Sequence, residues 1–204
     1  MTERLAADAR GVAAAARILR DGGLVAFPTD TVYGVACAAS RSDRVDALFA
    51  LKQRPPDRRI PMLVESIEAV PRGWVADDRA RMLAERFWPG ALTLVLPAGQ
   101  PGADSQAFRA PDHSVALALI REAGPLLATS ANVSDQPDTL DADDVVVAFA
   151  TRGEELDAVI DGGRVPGGVA STVLDLTASP ARVLRAGPIG PDQLSEVVEV
   201  ASGP

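Results

Sequence analysis

Short apolar runs that stop abruptly do most to restrict what this chain can fold into. LVAF ends at Pro28, LTLVL ends at Pro97, and PLLA gives way to the hydroxyls of Thr129 and Ser130. Runs this short between turn signals read as buried strands rather than helices. IPMLV, ELDAVID, ASTVLDL and ARVLR, with a short piece around 107–109, complete the expected strands. Between them lie helical patterns. DARGVAAAARILRDGG places Val12, Ala16 and Leu19 on one face and closes on Gly22 and Gly23. SDRVDALFALKQR starts at Ser42 as N-cap, turns Val45, Leu48 and Phe49 inward, and ends before Pro55, whose ring disfavours a helical residue ahead of it. DDRARMLAERFW, DHSVALALIREAG, DADDVVVAFATRG and DQLSEVVEVA are the remaining helices. Strands and helices mix without strict alternation, which predicts one α/β domain on a mixed, twisted sheet.

Composition narrows the function classes. No apolar stretch approaches the ~18 residues of a membrane span, and the charged start MTERLAADARG is unlike a signal peptide. Cys37 is the only cysteine, so an internal disulfide is impossible and a cytoplasmic location is expected. With one histidine and one cysteine, the chain has no conventional zinc site, and a Ser-His-Asp triad would have only His113 as its base. Neither a G-x-x-x-x-G-K-[ST] loop nor a G-x-G-x-x-G after the first strand is present. The formal net charge of −8 disfavours a general polyanion binder. Within that acidic chain Lys52 is the only lysine among 20 basic residues. Two readings stand: genome composition accounts for the arginine bias, or the one position that keeps lysine needs a compact point charge rather than a planar fork.

Several polar clusters stand at strand or helix ends, where α/β sheets form ligand crevices. In PTDTVYG, Thr29 and Thr31 either cap a turn or wall a site. In LKQRPPDRR, Lys52, Arg54, Arg58 and Arg59 either complement a helix C-terminus or form a triphosphate site. ATSANVSDQPDT offers Thr129, Ser130, Asn132, Ser134 and Thr139, as a capped turn or as contacts to a base or ribose. Arg109, buried at a strand end, requires a carboxylate from the protein or from a substrate. Ser171 and Arg185 stand at the entrance and exit of late strands, and His113 near a helix start reads as structural.

Taken in order, GGLVAFPTDTVYG, ALFALKQRPPD, FWPGALTLVLP, RAPDHSVALALI, TSANVSDQP, STVLDL and VLRAGPI resemble the YrdC family of threonylcarbamoyladenylate synthases, from about Arg17 to Ile189. The resemblance implies a mixed α/β fold around a large open cavity, here a single YrdC-like domain over 1–204, without the extra C-terminal domain of longer members. It implies that L-threonine, bicarbonate and ATP give threonylcarbamoyl-AMP and pyrophosphate, with Mg2+ accompanying ATP and no tightly bound organic cofactor. Partner proteins then move the threonylcarbamoyl group to an adenosine of tRNA, and family members also present a basic face to double-stranded RNA. By the same resemblance Thr31, Arg109, Ser130 and Ser171 contact threonine. Lys52 and Arg54, the K-x-R pair, face the nucleotide phosphates as the catalytic pair, with Arg58 as a further cation. Asn132 and Arg185 contact ATP, as do Ser105 and Thr139. The chain departs from the family pattern at Arg59 (commonly proline), in PMLV (no following histidine), in VAST (commonly E-S-T) and in QAFRAPDH (commonly V-A-V-R before the proline). An RNA-binding module or a paralogue without synthetase activity is the alternative.

Overall fold

The computed structural model describes residues 2–53, 60–134, 136–150, 156–166 and 168–201. Among them ten strands form one mixed sheet: β1 (Glu3–Ala6), β2 (Val25–Phe27), β3 (Gly34–Ala38), β4 (Met62–Leu63), β5 (Leu92–Leu96), β6 (Gln106–Arg109), β7 (Leu126–Ser130), β8 (Ala158–Asp161), β9 (Thr172–Asp175) and β10 (Arg182–Arg185). Their spatial order is β1-β8-β2-β3-β7-β4-β6-β5-β9-β10. The helices are α1 (Ala9–Arg20), α2 (Val45–Lys52), α3 (Asp78–Phe87), α4 (Ser114–Ala123), α5 (Ala142–Phe149) and α6 (Pro191–Ser195). The single-domain α/β fold with a mixed sheet matches the expectation.

Local chemistry accounts for the helix ends. The Asp8 carboxylate accepts from Gly11 N at 2.8 Å and starts α1; Gly22, at φ 95°, lets the chain turn away after it. Asp77 and Asp141 cap α3 and α5 in the same way, accepting from Ala80 N and Asp144 N. Ser42 does not cap α2. It lies in a 3-10 turn over Ala39–Arg44, and α2 begins after Arg44 with no side-chain cap. The last helix is also shorter than its apolar pattern suggests. It stops at Ser195, and Val200 instead bridges to Ala181 beside the sheet.

The two halves of the sheet differ in covering, and that difference creates the site. Along β2 and the residue before it, Val25 and Phe27 pack into one core cluster while Leu24 and Ala26 enter another, so this half is buried on both faces. In β5, Leu92, Leu94 and Leu96 join a third cluster with Phe108 and Leu174. The alternate residues Thr93 and Val95 point the other way, into a cavity.

Candidate active site

The cavity has a volume of about 570 Å3, within the range of small-molecule sites, roughly 300–1,000 Å3. It spreads from the end of β7 across β4, β6, β5 and β9 to β10. Among the described residues three cations line it, Lys52, Arg109 and Arg185, and each is bonded to a hydroxyl that also lines it.

The first pair lies under the β2–β3 connection. Arg109 donates from Nε to Gly90 O (2.9 Å), from Nη1 to Thr31 Oγ1 (3.0 Å) and from Nη2 to Asp30 Oδ1 (2.6 Å). Thr29 Oγ1 donates to Val32 O at 2.6 Å and lies 3.1 Å from Thr31 Oγ1. Each hydroxyl has one proton, so Thr31 must donate to Thr29 while accepting from Arg109. The chain of bonds therefore runs from guanidinium to Thr31 to Thr29 to a backbone carbonyl, and the Thr31 oxygen keeps one lone pair. Arg109 has five N–H donors and spends three, leaving two. Burial pulls its guanidinium below the ordinary arginine value; Asp30 opposes that shift and Arg185 adds to it. The carboxylate that a buried Arg109 requires is thus supplied by the protein.

The second pair fixes the turn after β7. Lys52 is only 3% exposed. Its ammonium donates to the carbonyl oxygens of Ser130 and Asn132, to Asn132 Oδ1 (3.1 Å) and to Ser130 Oγ (3.3 Å). Ser130 Oγ donates to Asn132 Oδ1 at 2.6 Å, and Asn132 Nδ2 donates to Gln136 O at 2.6 Å. The lysine gathers backbone and side-chain acceptors from two residues of one turn, Ser130 and Asn132, a task that suits a rotatable three-donor ammonium better than a planar fork. The third pair closes the far side. Arg185 donates from Nε and Nη2 to Ser171 O (3.0 and 2.8 Å) and from Nη2 to Ser171 Oγ (3.1 Å), which also bonds Thr93 Oγ1 at 2.8 Å. Burial lowers the Arg185 pKa, and Asp138 acts against it. Gly187 permits this approach: a Cβ there would lie 2.3 Å from Thr172 N.

Known proteins resemble this chain in sequence and fold. The Sua5/YciO/YrdC family model, described as telomere recombination, matches residues 17–187. The chain belongs to this family. It is 38% identical over 208 residues to the threonylcarbamoyl-AMP synthase of Bacillus subtilis strain 168, a match covering 97% of this chain and 59% of that protein. It is 40% identical over 202 residues to a putative threonylcarbamoyl-AMP synthase of Mycobacterium leprae, covering 94% of this chain and 90% of that one. The crystal structure of Pyrococcus abyssi Sua5 complexed with L-threonine superposes with a TM-score of 0.87 at 36% identity, covering 98% of this chain and 62% of that chain. The chain spans less than two thirds of the length of the Bacillus and Pyrococcus proteins.

Within this YrdC-family cavity the residues singled out by sequence fall into three groups. Thr31, Lys52, Ser105, Arg109, Ser130 and Asn132 line it, and so do Ser171 and Arg185. Thr139 does not. It is 4% exposed, its carbonyl accepts from Tyr33 N, and its Oγ1 has no hydrogen-bond partner among the described residues. Arg54 and Arg58, like Arg59, lie outside the described residues. Thr93 and Asp175 line the cavity without having been singled out, and Asp30 completes the Arg109 cluster. A signal for Thr93 was present: it alternates with the leucines of LTLVL and so shares a face with Val95. His113 is half-buried, with Nδ1 unpartnered among the described residues. Among the described residues no helix is long and apolar enough to cross a membrane.

Proposed function

We propose that this protein makes threonylcarbamoyl-AMP and pyrophosphate from L-threonine, bicarbonate and ATP, acting as a nucleotidyltransferase. The observation that carries the reading is the threefold pairing of cation with hydroxyl around one cavity: Arg109 with Thr31, Lys52 with Ser130, and Arg185 with Ser171. The names of its relatives, and the L-threonine bound by the Pyrococcus protein, support the same reading.

The two unspent N–H groups of Arg109 hold the threonine carboxylate, and the lone pair left on Thr31 accepts from a threonine donor group. The amine of threonine combines with bicarbonate to form a carbamate, losing water. A carbamate oxygen then attacks the α-phosphorus of ATP, the bond to the β-phosphate bridging oxygen breaks, and pyrophosphate departs. Negative charge grows on the phosphates during that exchange. Cations already fixed by internal bonds stabilise it without rearranging, so catalysis is mainly positioning and preorganised electrostatics. Lys52 and Arg185 supply that charge, with Arg54 and Arg58 proposed beside them. Asn132 spends Oδ1 and one Nδ2 proton inside the loop, so its part is to shape the nucleotide wall. Ser105 stands at the other end of the cavity.

Mg2+ is proposed as the counter-ion carried by ATP. Among the described residues no group of three His, Cys, Asp or Glu side chains forms a cage for a metal. That suits an ion held mainly by phosphate oxygens and water. We further propose that the product passes to partner proteins that modify tRNA, in the cytoplasm.

The test is product analysis. The protein is incubated with ATP, Mg2+, bicarbonate and L-threonine, and the adenylate is sought by mass spectrometry. A product that requires both threonine and bicarbonate is expected. ATP binding without that product would overturn the reading.

A further inference from the structure

The register of the sheet divides the cavity floor into two rows. In one, Thr93 of β5 pairs with Val173 of β9, which pairs with Arg185 of β10; Arg109 follows Phe108 on the neighbouring β6. In the other, Val95 pairs with Ala107 on one side and with Asp175 on the other, and Asp175 pairs in turn with Arg182 of β10, which does not line the cavity. Two residues along a strand separate the rows, about 7 Å. The described cations of the cavity belong to the first row or to the β7 wall. The second row lines the cavity with two small apolar side chains and a carboxylate, the only one among the described lining residues.

Asp175 is held in place from one side. Its Oδ1 accepts from Thr177 N (2.9 Å) and Thr177 Oγ1 (2.7 Å), and Oδ2 makes no hydrogen bond to a described residue. An ionised carboxylate only accepts. It therefore repels phosphate and demands a donor at the end of an apolar shelf. A polyphosphate belongs in the first row, and a flat heterocycle with an amino edge belongs on Val95 and Ala107. We propose that Asp175 selects the base of the nucleotide by accepting a hydrogen bond from the 6-amino group of adenine. The inference rests on the proposal that ATP occupies this cavity, and adds the group that distinguishes ATP from nucleotides lacking that amine.

Calorimetric titrations with ATP, purine riboside triphosphate and ITP, each with Mg2+, test it. The wild-type protein should bind ATP about tenfold more tightly than purine riboside triphosphate, which lacks only the amine. In Asp175→Asn the side-chain carbonyl still accepts from Thr177, while the amide N–H groups face the ligand. The preference should then swing by about tenfold toward ITP, whose 6-oxo group accepts. A purely structural Asp175 would not produce such a swing. L-threonine titration of the variant, unchanged from wild type, verifies that its pocket is folded. An ATP-to-ITP ratio equal in variant and wild type would overturn the base-reading role, as would equal wild-type affinity for ATP and purine riboside triphosphate. Failure of the wild-type protein to bind any of the three nucleotides would overturn the ATP reading along with it.

Discussion

Asp30 and Arg109 meet at 2.6 Å with side chains 15% and 9% exposed, and only Arg109 lines the cavity. Asp30 thus acts through the arginine, neutralising its charge and fixing its plane. Removing one partner from a buried pair leaves the other without compensation, at a cost of about 3 kcal/mol. Asp30→Ala should lose about that much stability in urea unfolding. In an Arg109→Met background the same change should cost under about 1 kcal/mol, because no stranded guanidinium remains. Equal costs in the two backgrounds would show that the pair is not coupled.

Lys52 is a structural cation as well as a proposed source of positive charge for the phosphates. Its bonds hold the turn carrying Ser130 and Asn132, and Ser134 N donates to its carbonyl. Lys52→Ala should therefore abolish adenylate formation and also lower stability by roughly 2–3 kcal/mol, since bonds from a buried charge are lost. Circular dichroism in urea and the mass-spectrometric assay separate the two effects. An inactive variant with wild-type stability would show that the turn holds itself, and an active one would remove Lys52 from the chemistry.

Much of this architecture was legible in the chain because each helix carried its own cap or face. Asp8, Asp77 and Asp141 mark helix starts, and the leucines of LTLVL reveal one face of β5. Two strands were not legible. In β1 only Leu5 is buried, too little for an alternating pattern, and in β3 the small residues Gly34–Ala38 are buried on both sides, which erases alternation altogether. The site behaved similarly. Hydroxyl-rich strand ends flagged Thr31, Ser130 and Ser171 correctly as neighbours of one cavity, but a hydroxyl in a loop does not disclose its direction. Thr139 turns inward, and Asp30, between two cavity threonines, reaches Arg109 across 79 residues of chain.

Gly187, in the VLRAGPI stretch, sits where the last strand crosses Ser171 and Thr172. A Cβ would fall 2.3 Å from Thr172 N and 2.6 Å from Ala170 O, both backbone atoms that cannot swing aside. Gly187→Ala should therefore displace Arg185 from Ser171, costing about 2 kcal/mol of stability through overpacking. ATP binding should weaken alongside, while a control at the exposed Gly73, where a Cβ meets nothing within 4 Å, should change neither. Wild-type stability and ATP affinity in Gly187→Ala would refute the close approach.

His113 stands at the start of α4 with Nδ1 buried and without a partner among the described residues. Burial holds its pKa below the ordinary histidine value; the charges of Asp30 and then Asp112 pull the other way without overcoming it. In the unfolded chain the ring titrates near about 6.5. Between the folded and unfolded values the unfolded chain binds more protons, so this group's stability contribution is complete above the unfolded pKa. It declines as pH falls through that value toward the folded one. Carboxylates held low by partners, such as Asp43 and Glu68, titrate in a more acidic range and leave this window to the histidine. The melting temperature of the wild-type protein should thus drop further between about pH 7.5 and 5.5 than that of His113→Gln, which has no proton to gain. Parallel decreases in the two proteins would mean that the acid sensitivity of the fold lies elsewhere.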